Sequence, residues 1–236
     1  MSGGTGPQRR NGGGGLKSML WLLALVVLAP LTVVVAAMGT GVGLWSPEIG
    51  LDLLTFRIGR FLALAGVMAG LISVVLALRD LRRRGVLAAV TVLIAAGALG
   101  GYLIQGARMQ VAAPNDVTTD TAEVPGFSRL IQDRRTAAGA AQPGVAATCD
   151  GVAFAPTQVT PEVAADALRA AGFRVIGAAP FRAEGTRVGS AFGLTHDAAI
   201  RIRPGRTDVR ITARDDRAQG DQACRLLATV VRNLTS

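Results

Sequence analysis

Two arginine-bearing strands hold the residues whose types and spacing are best suited to chemistry. In Ala198 to Arg203 and Thr207 to Arg214, the two-residue period of an extended chain puts Ile200, Ile202, Val209 and Ile211 on one side and Arg201, Arg203, Arg210 and Arg214 on the other. A hairpin turn centred on Pro204-Gly205 sets Arg201 opposite Asp208 and Arg203 opposite Arg206. Guanidinium forks bind phosphate and carboxylate bidentately, so Arg201, Arg203, Arg210 and Arg214 form a candidate anion-binding face. The plainer reading of the same residues is a solvated outer face partly neutralised by Asp197, Asp208 and Glu184.

Other chemistry has weaker support. His196 is the one histidine, and with no cysteine pair at ligand spacing it reads as a surface-turn residue beside Asp197 rather than a metal ligand. Ser190 lacks the spacing of a nucleophile elbow and has no evident base. Gly39-Thr40-Gly41-Val42-Gly43 opens no strand-to-helix unit and is not a phosphate loop. No catalytic residue, metal or cofactor is assigned.

These strands must be positioned by a chain that is 50% hydrophobic, high for a soluble protein and ordinary for a membrane one. Phe61 to Leu78 and Val86 to Ile104 are uncharged runs close to the ~20 residues a span needs. They flank Arg79-Asp80-Leu81-Arg82-Arg83-Arg84, whose arginines mark the cytoplasmic side of a transmembrane hairpin. Met19 to Met38, broken by Pro30, is a third span. A cleaved signal peptide is the rival reading of this run, against which stand its length and the lack of a clean cleavage triplet. Nine basic and three acidic residues up to Ile104 leave +6 of the total +9 in this half, where cytoplasmic loops account for it, so the charge does not indicate nucleic acid. No charge lies deep in a span, which argues against an ion path. Gly66 and Gly70, and Gly97 and Gly101, have the four-residue spacing of a close helix seam, either within the hairpin or between copies in a homo-oligomer.

The expected organisation is a disordered cytoplasmic tail (1–16), a three-helix transmembrane region (17–104), an extended linker (105–144) and a periplasmic α+β domain (145–236). Gly39 to Arg60 is expected as an outside loop. In the domain, Thr160 caps a helix with Pro161 at its first position and Gly172 at its end. Phe173 to Ala178, Ala183 to Val188, Ala198 to Arg203 and Thr207 to Ala213 are strands, and Gln219 to Asn233 is a helix. The fold class is therefore a small α+β domain, an antiparallel four-stranded sheet with two helices on one face, carried on three spans. Cys149, before the strand-like Val152 to Phe154, and Cys224, at the edge of the last helix's apolar stripe, both fall in the half assigned to the periplasm and form an expected disulfide.

Asn115-Asp116-Val117-Thr118-Thr119-Asp120 with Phe127, then Phe192-Gly193-Leu194-Thr195-His196-Asp197-Ala198-Ala199-Ile200-Arg201-Ile202-Arg203-Pro204, then Asp208-Val209-Arg210, resemble the bacterial domain-of-unknown-function family 1499. The resemblance covers roughly Pro114 to Leu234 and implies a membrane-tethered envelope domain with no established activity. After Arg210 the sequence departs from the family's pattern, with Ala213, Gln219 and Gln222 near the places of its later polar residues. The function expected is a non-enzymatic binding or scaffolding module for an anionic envelope component or a membrane protein partner. The alternative is an enzyme acting on lipid or cell-wall substrates.

Overall fold

The computed structural model describes residues 13–109, 113–140, 142–190 and 192–236. They divide into two compact units, one ending at Ile104 and one beginning at Gln105. Most of the expected N-terminal tail lies outside the described residues, and its last four positions begin a helix.

The first unit is helical. Helix α1 spans Gly13–Gly41, a π-helical segment π1 (Glu48–Gly59) runs directly into α2 (Arg60–Leu78), and α3 spans Leu81–Met109. Among the described residues, three stretches are long and apolar enough to cross a membrane: Lys17–Gly41, Glu48–Leu78 and Arg84–Met109. The second is longer than expected, because Glu48 to Gly59 is helix rather than loop. Ile49, Leu51, Leu53, Leu54, Phe56 and Ile58 supply the apolar surface, and Thr55 Oγ1 donates to Gly50 O at 2.8 Å, the five-residue step of a π turn. The glycine seam is also divided. A Cβ at Gly66 would meet Val26 of α1 at 3.7 Å, and one at Gly70 would meet Ala95 of α3 at 3.6 Å. At Gly97 and Gly101 a Cβ would meet nothing within 4 Å, so α3 packs that pair against nothing among the described residues.

In the second unit, strand β1 (Asp116–Thr118) and helix α4 (Arg129–Ala137) precede α5 (Pro161–Ala170), β2 (Arg174–Ala179), β3 (Arg182–Val188), β4 (Thr195–Arg203), β5 (Arg206–Ala213) and α6 (Gln222–Thr235). The sheet is antiparallel in the order β1-β5-β4-β3-β2. It has five strands where four were expected. The extra strand and α4 both come from the segment read as linker, since β1 is three residues long and shows too little alternation to be seen in sequence. Conversely, Val152 to Phe154 is not a strand, and the neighbouring Ala155 makes one isolated bridge to Thr207.

Local chemistry explains the elements that were foreseen. Thr160 Oγ1 accepts from Val163 N at 3.3 Å, Pro161 occupies the first turn, and Gly172 ends α5 at φ 81°, a left-handed conformation that favours glycine. The β4–β5 turn places Gly205 at φ 70°, and its register pairs Arg201 with Asp208 and Arg203 with Arg206 as the alternation requires. α6 starts three residues later than expected because Gly220 takes φ 60°.

The two faces of the sheet are covered differently. On one, Ala198, Ile200, Ile202, Val209, Ile211 and Val117 pack with Ala164 and Leu168 of α5 and with Leu226, Leu227 and Val230 of α6. Each large aliphatic side chain buried there stabilises the fold by roughly 1.5–3 kcal/mol. On the other, Phe127 and Ile131 pack on Ala199 and Ile176, so α4 lies on the arginine side. The expectation of helices on one face alone is corrected by α4.

Cys149 and Cys224 lie at disulfide distance, with Cα atoms 5.6 Å apart, joining the segment before α5 to α6. The bond closes a separation of 75 residues. Replacing both cysteines by alanine is expected to lower stability by roughly 4 kcal/mol on the chain-entropy account. Thiol labelling of the denatured, unreduced chain checks the pair: no reactive sulfur is expected, and two would refute the bond.

Candidate functional site

The arginine face is built by β3, β4 and β5 and covered by the chain from Asn115 to Ala137. Asp197, fully buried on β4, accepts from Arg214 Nε at 2.9 Å and Nη2 at 2.8 Å, from Arg135 Nη1 at 3.0 Å and from Thr186 Oγ1 at 2.7 Å. Burial alone would raise its pKa. The hydrogen bonds from Arg214 and Thr186, the Arg214 charge and the Arg135 hydrogen bond outweigh burial and hold the carboxyl below its ordinary value.

Arg210 forms a two-pronged pair with Asp116 of β1, Nε to Oδ1 at 2.9 Å and Nη2 to Oδ2 at 2.6 Å, and Thr212 Oγ1 donates to the same carboxylate at 2.7 Å. Asp208 is shared by three arginines: Arg201 at 3.2 Å, Arg203 at 2.6 Å and Arg206 at 2.7 Å. Asp120 reaches the same three guanidinium groups from the covering segment, and Glu123 pairs with Arg203 at 2.6 Å. The Asp120 pKa is lowered, first by the Glu123 backbone N–H, against burial, and then by Arg203 and Arg206.

Two aromatic rings also meet these arginines: the guanidinium carbon of Arg206 lies 4.0 Å from the Phe154 ring centroid, and Phe127 takes two others. The guanidinium carbons of Arg210 and Arg135 lie 5.1 and 5.9 Å from its ring centroid, within cation–π range. Glu184, buried on β3, accepts from Ser128 N at 2.5 Å, and Ser128 Oγ in turn accepts from Ile131 N at the start of α4.

The structure thus brings Arg201, Arg203, Arg210 and Arg214 onto one face, as the alternation indicates, and engages each with a carboxylate of the chain itself. Arg135, Arg201, Arg203, Arg206, Arg210 and Arg214 stand against Asp116, Asp120, Glu123, Asp197 and Asp208, six positive charges against five negative, while Glu184 on the same face is held by Ser128 N. An incoming anion would have to displace an internal partner. Sequence reasoning missed Arg135 and the counter-ions Asp116, Asp120 and Glu123. The acidic residues were legible as an Asp-x-x-x-Asp spacing, but in a segment read as linker they had no assigned partners.

His196 departs from expectation most sharply. It is fully buried on the apolar side of β4, cross-strand from Arg187 and Ala213, and neither ring nitrogen has a hydrogen-bond partner among the described residues. The surface-turn reading is corrected: the two-residue period that buries Ala198, Ile200 and Ile202 also buries His196. Burial pushes its pKa down to about 4, with the Arg187 charge adding to the effect and Asp197 opposing it. Among the described residues no cluster of three or more His, Cys, Asp or Glu side chains could hold a metal ion.

Compared with known proteins, the chain matches no family model, no curated protein and no solved structure.

Arg210→Ala is expected to cost about 3 kcal/mol, because it leaves Asp116 charged and covered without its partner. Arg169→Ala, which breaks an exposed pair with Asp166, is expected to cost under about 1 kcal/mol. Denaturant unfolding of the full chain compares the two, and equal losses would refute the structural role. For His196, whose pKa falls from 6.5 to about 4 on folding, the unfolded chain takes up a proton in that window and the folded chain does not. Stability therefore decreases as pH is lowered from 6.5 to about 4, by about 3 kcal/mol in all. The same titration of His196→Leu is expected to lose that slope.

Proposed function

We propose that the chain is a bacterial inner-membrane protein, inserted with its N-terminus in the cytoplasm. Its second unit acts in the periplasm as a non-enzymatic binding or scaffolding module. The observation that carries the scaffolding part is the network of six arginines and five carboxylates on the sheet. A site that polarises or transfers groups keeps polar atoms available to a substrate, whereas here each of the six arginines holds a carboxylate of the chain itself, and of their buried nitrogens only Nε of Arg201 and of Arg203 lack a partner among the described residues. Such a network fixes the covering segment and α4 on the sheet and makes the unit a firm body on which surfaces can be displayed.

The direction of insertion is supported by four arginines against one aspartate between Arg79 and Arg84, together with Arg9, Arg10 and Lys17. The cysteine pair at disulfide distance supports an oxidising compartment for the second unit. The resemblance to family 1499 agrees with an envelope domain on a membrane tether. It rests on residues that the structure uses for folding: Asn115 Nδ2 donates to Arg217 O, Val117 is in the core, and Thr119 Oγ1 accepts from Val209 N. The anionic-ligand version of the reading is the weaker one, since Arg201, Arg203, Arg210 and Arg214 each already hold a carboxylate.

A reporter fused after Ser236 is expected to be active in its exported form and silent in its cytoplasmic form. Replacing Arg82, Arg83 and Arg84 together is expected to give a mixed orientation. A signal from the cytoplasmic reporter in the unaltered chain would overturn the compartment, and with it the envelope role.

A further inference from the structure

The β2–β3 hairpin ends in Ala178, Ala179, Pro180 and Phe181, four consecutive apolar residues that are all exposed, with Phe181 at 73%. Turns of this kind are ordinarily built from polar residues, glycine and proline. Nothing in the fold requires an aromatic ring there: Phe181 contributes its backbone carbonyl to Ile202 N at 2.8 Å and leaves its ring in solvent. Arg182 follows immediately and is exposed.

The charge of the hairpin is one-signed on its surface. From Arg174 to Val188 the basic residues are Arg174, Arg182 and Arg187, and the single acidic residue, Glu184, is buried and occupied by Ser128 N. Beside the tip lies an open cavity of about 310 Å³ lined by Pro125, Ala179, Phe181, Arg182 and Arg201 among others. It combines apolar walls with the exposed Arg182, the Arg201 guanidinium being already held by Asp120 and Asp208.

We propose that this tip docks on an anionic phospholipid surface, with Phe181 and Pro180 entering the headgroup–acyl boundary and Arg182 on a lipid phosphate. An amphipathic apolar tip beside a cation is the arrangement by which interfacial segments hold to bilayers. Charge complementarity selects an anionic surface over a neutral one. The same chain carries three helices long and apolar enough to cross a membrane, so every copy brings its own lipid partner. The inference needs those helices in a bilayer, but neither their direction of insertion nor the scaffolding role.

The test uses the full chain in nanodiscs of phosphatidylcholine alone and of phosphatidylcholine with phosphatidylglycerol. Phe181→Cys carries an environment-sensitive fluorophore, and Val188→Cys, exposed at the far end of β3, carries the same label as control. With phosphatidylglycerol present, the label at 181 is expected to shift to the blue and to be quenched by nitroxides on the lipid chains, while the label at 188 is not. Adding Arg182→Gln is expected to lower the docked-to-undocked ratio about five-fold, the effect of one basic residue near an anionic surface. Equal quenching at the two positions would overturn the proposal. So would protection of the 181 label from aqueous iodide without lipid quenching, which would place a protein surface on the tip. Failure of either kind leaves the topology and scaffolding readings standing, since neither depends on the hairpin.

Discussion

A carboxylate taken out of water needs hydrogen bonds or opposite charge around it, and four strand residues of this sheet impose that requirement: Asp116, Glu184, Asp197 and Asp208, each less than a tenth exposed. The rest of the second unit follows from meeting it. Asp197 is satisfied from β3 by Thr186, from the residue after β5 by Arg214 and from α4 by Arg135, so one residue ties β3, the end of β5 and a helix. Asp208 gathers Arg201, Arg203 and Arg206 at the β4–β5 turn, and the surplus positive charge there is met by Asp120 and Glu123 from the segment that crosses the face. The segment's path is set by charge as much as by the packing of Phe127 and Ile131.

That dependence explains which parts of the fold could be read from the residues. Elements whose signals are local were legible: the Thr160-Pro161 helix start, the alternation of Ala198 to Arg203, the Pro204-Gly205 turn with its register, and the stripe of Leu226, Leu227 and Val230. The cysteine pairing was legible too, because both cysteines of the chain fall in the second unit and leave one intramolecular partner each. What was not legible has its partner far away. β1 is a strand because Asp116 meets Arg210 and Thr118 meets Val209, contacts 94 and 91 positions apart that three residues cannot announce. Arg135 reads as an ordinary basic residue near a helix end until Asp197, 62 positions on, is placed beneath it.

His196 and the arginine face show the same limit from opposite directions. For His196 the alternation already assigned its side, and residue type was given more weight than period; a histidine at the start of an apolar-facing strand goes in with its neighbours. For the arginines the period gave the right side but not its accessibility. A row of guanidinium groups on one face of a hairpin is equally consistent with an outer surface and with a polar interior, and the deciding fact is whether another part of the chain carries matching acids. Here it does, at Asp116, Asp120 and Glu123.

The two faces of the sheet then divide the work of folding. The α5–α6 side is held by non-directional burial and the Cys149–Cys224 link, which would tolerate small shifts of packing. The α4 side is held by directional forks such as Arg210 on Asp116 and Arg214 on Asp197, which would not. A slip of one residue in β5 against β4 would carry Asp208 and Arg210 to the apolar side and Val209 and Ile211 to the polar one. Buried ion pairs contribute little net stability when a well-packed apolar alternative exists, but such a slip would strand several charges at once, so their effect falls on register and on the path of the covering segment. The β2–β3 tip lies beyond this reach: its residues Ala178 to Phe181 make none of the ionic contacts that constrain the rest of the face. Its composition is left open to an external surface in a way that β4 and β5 are not.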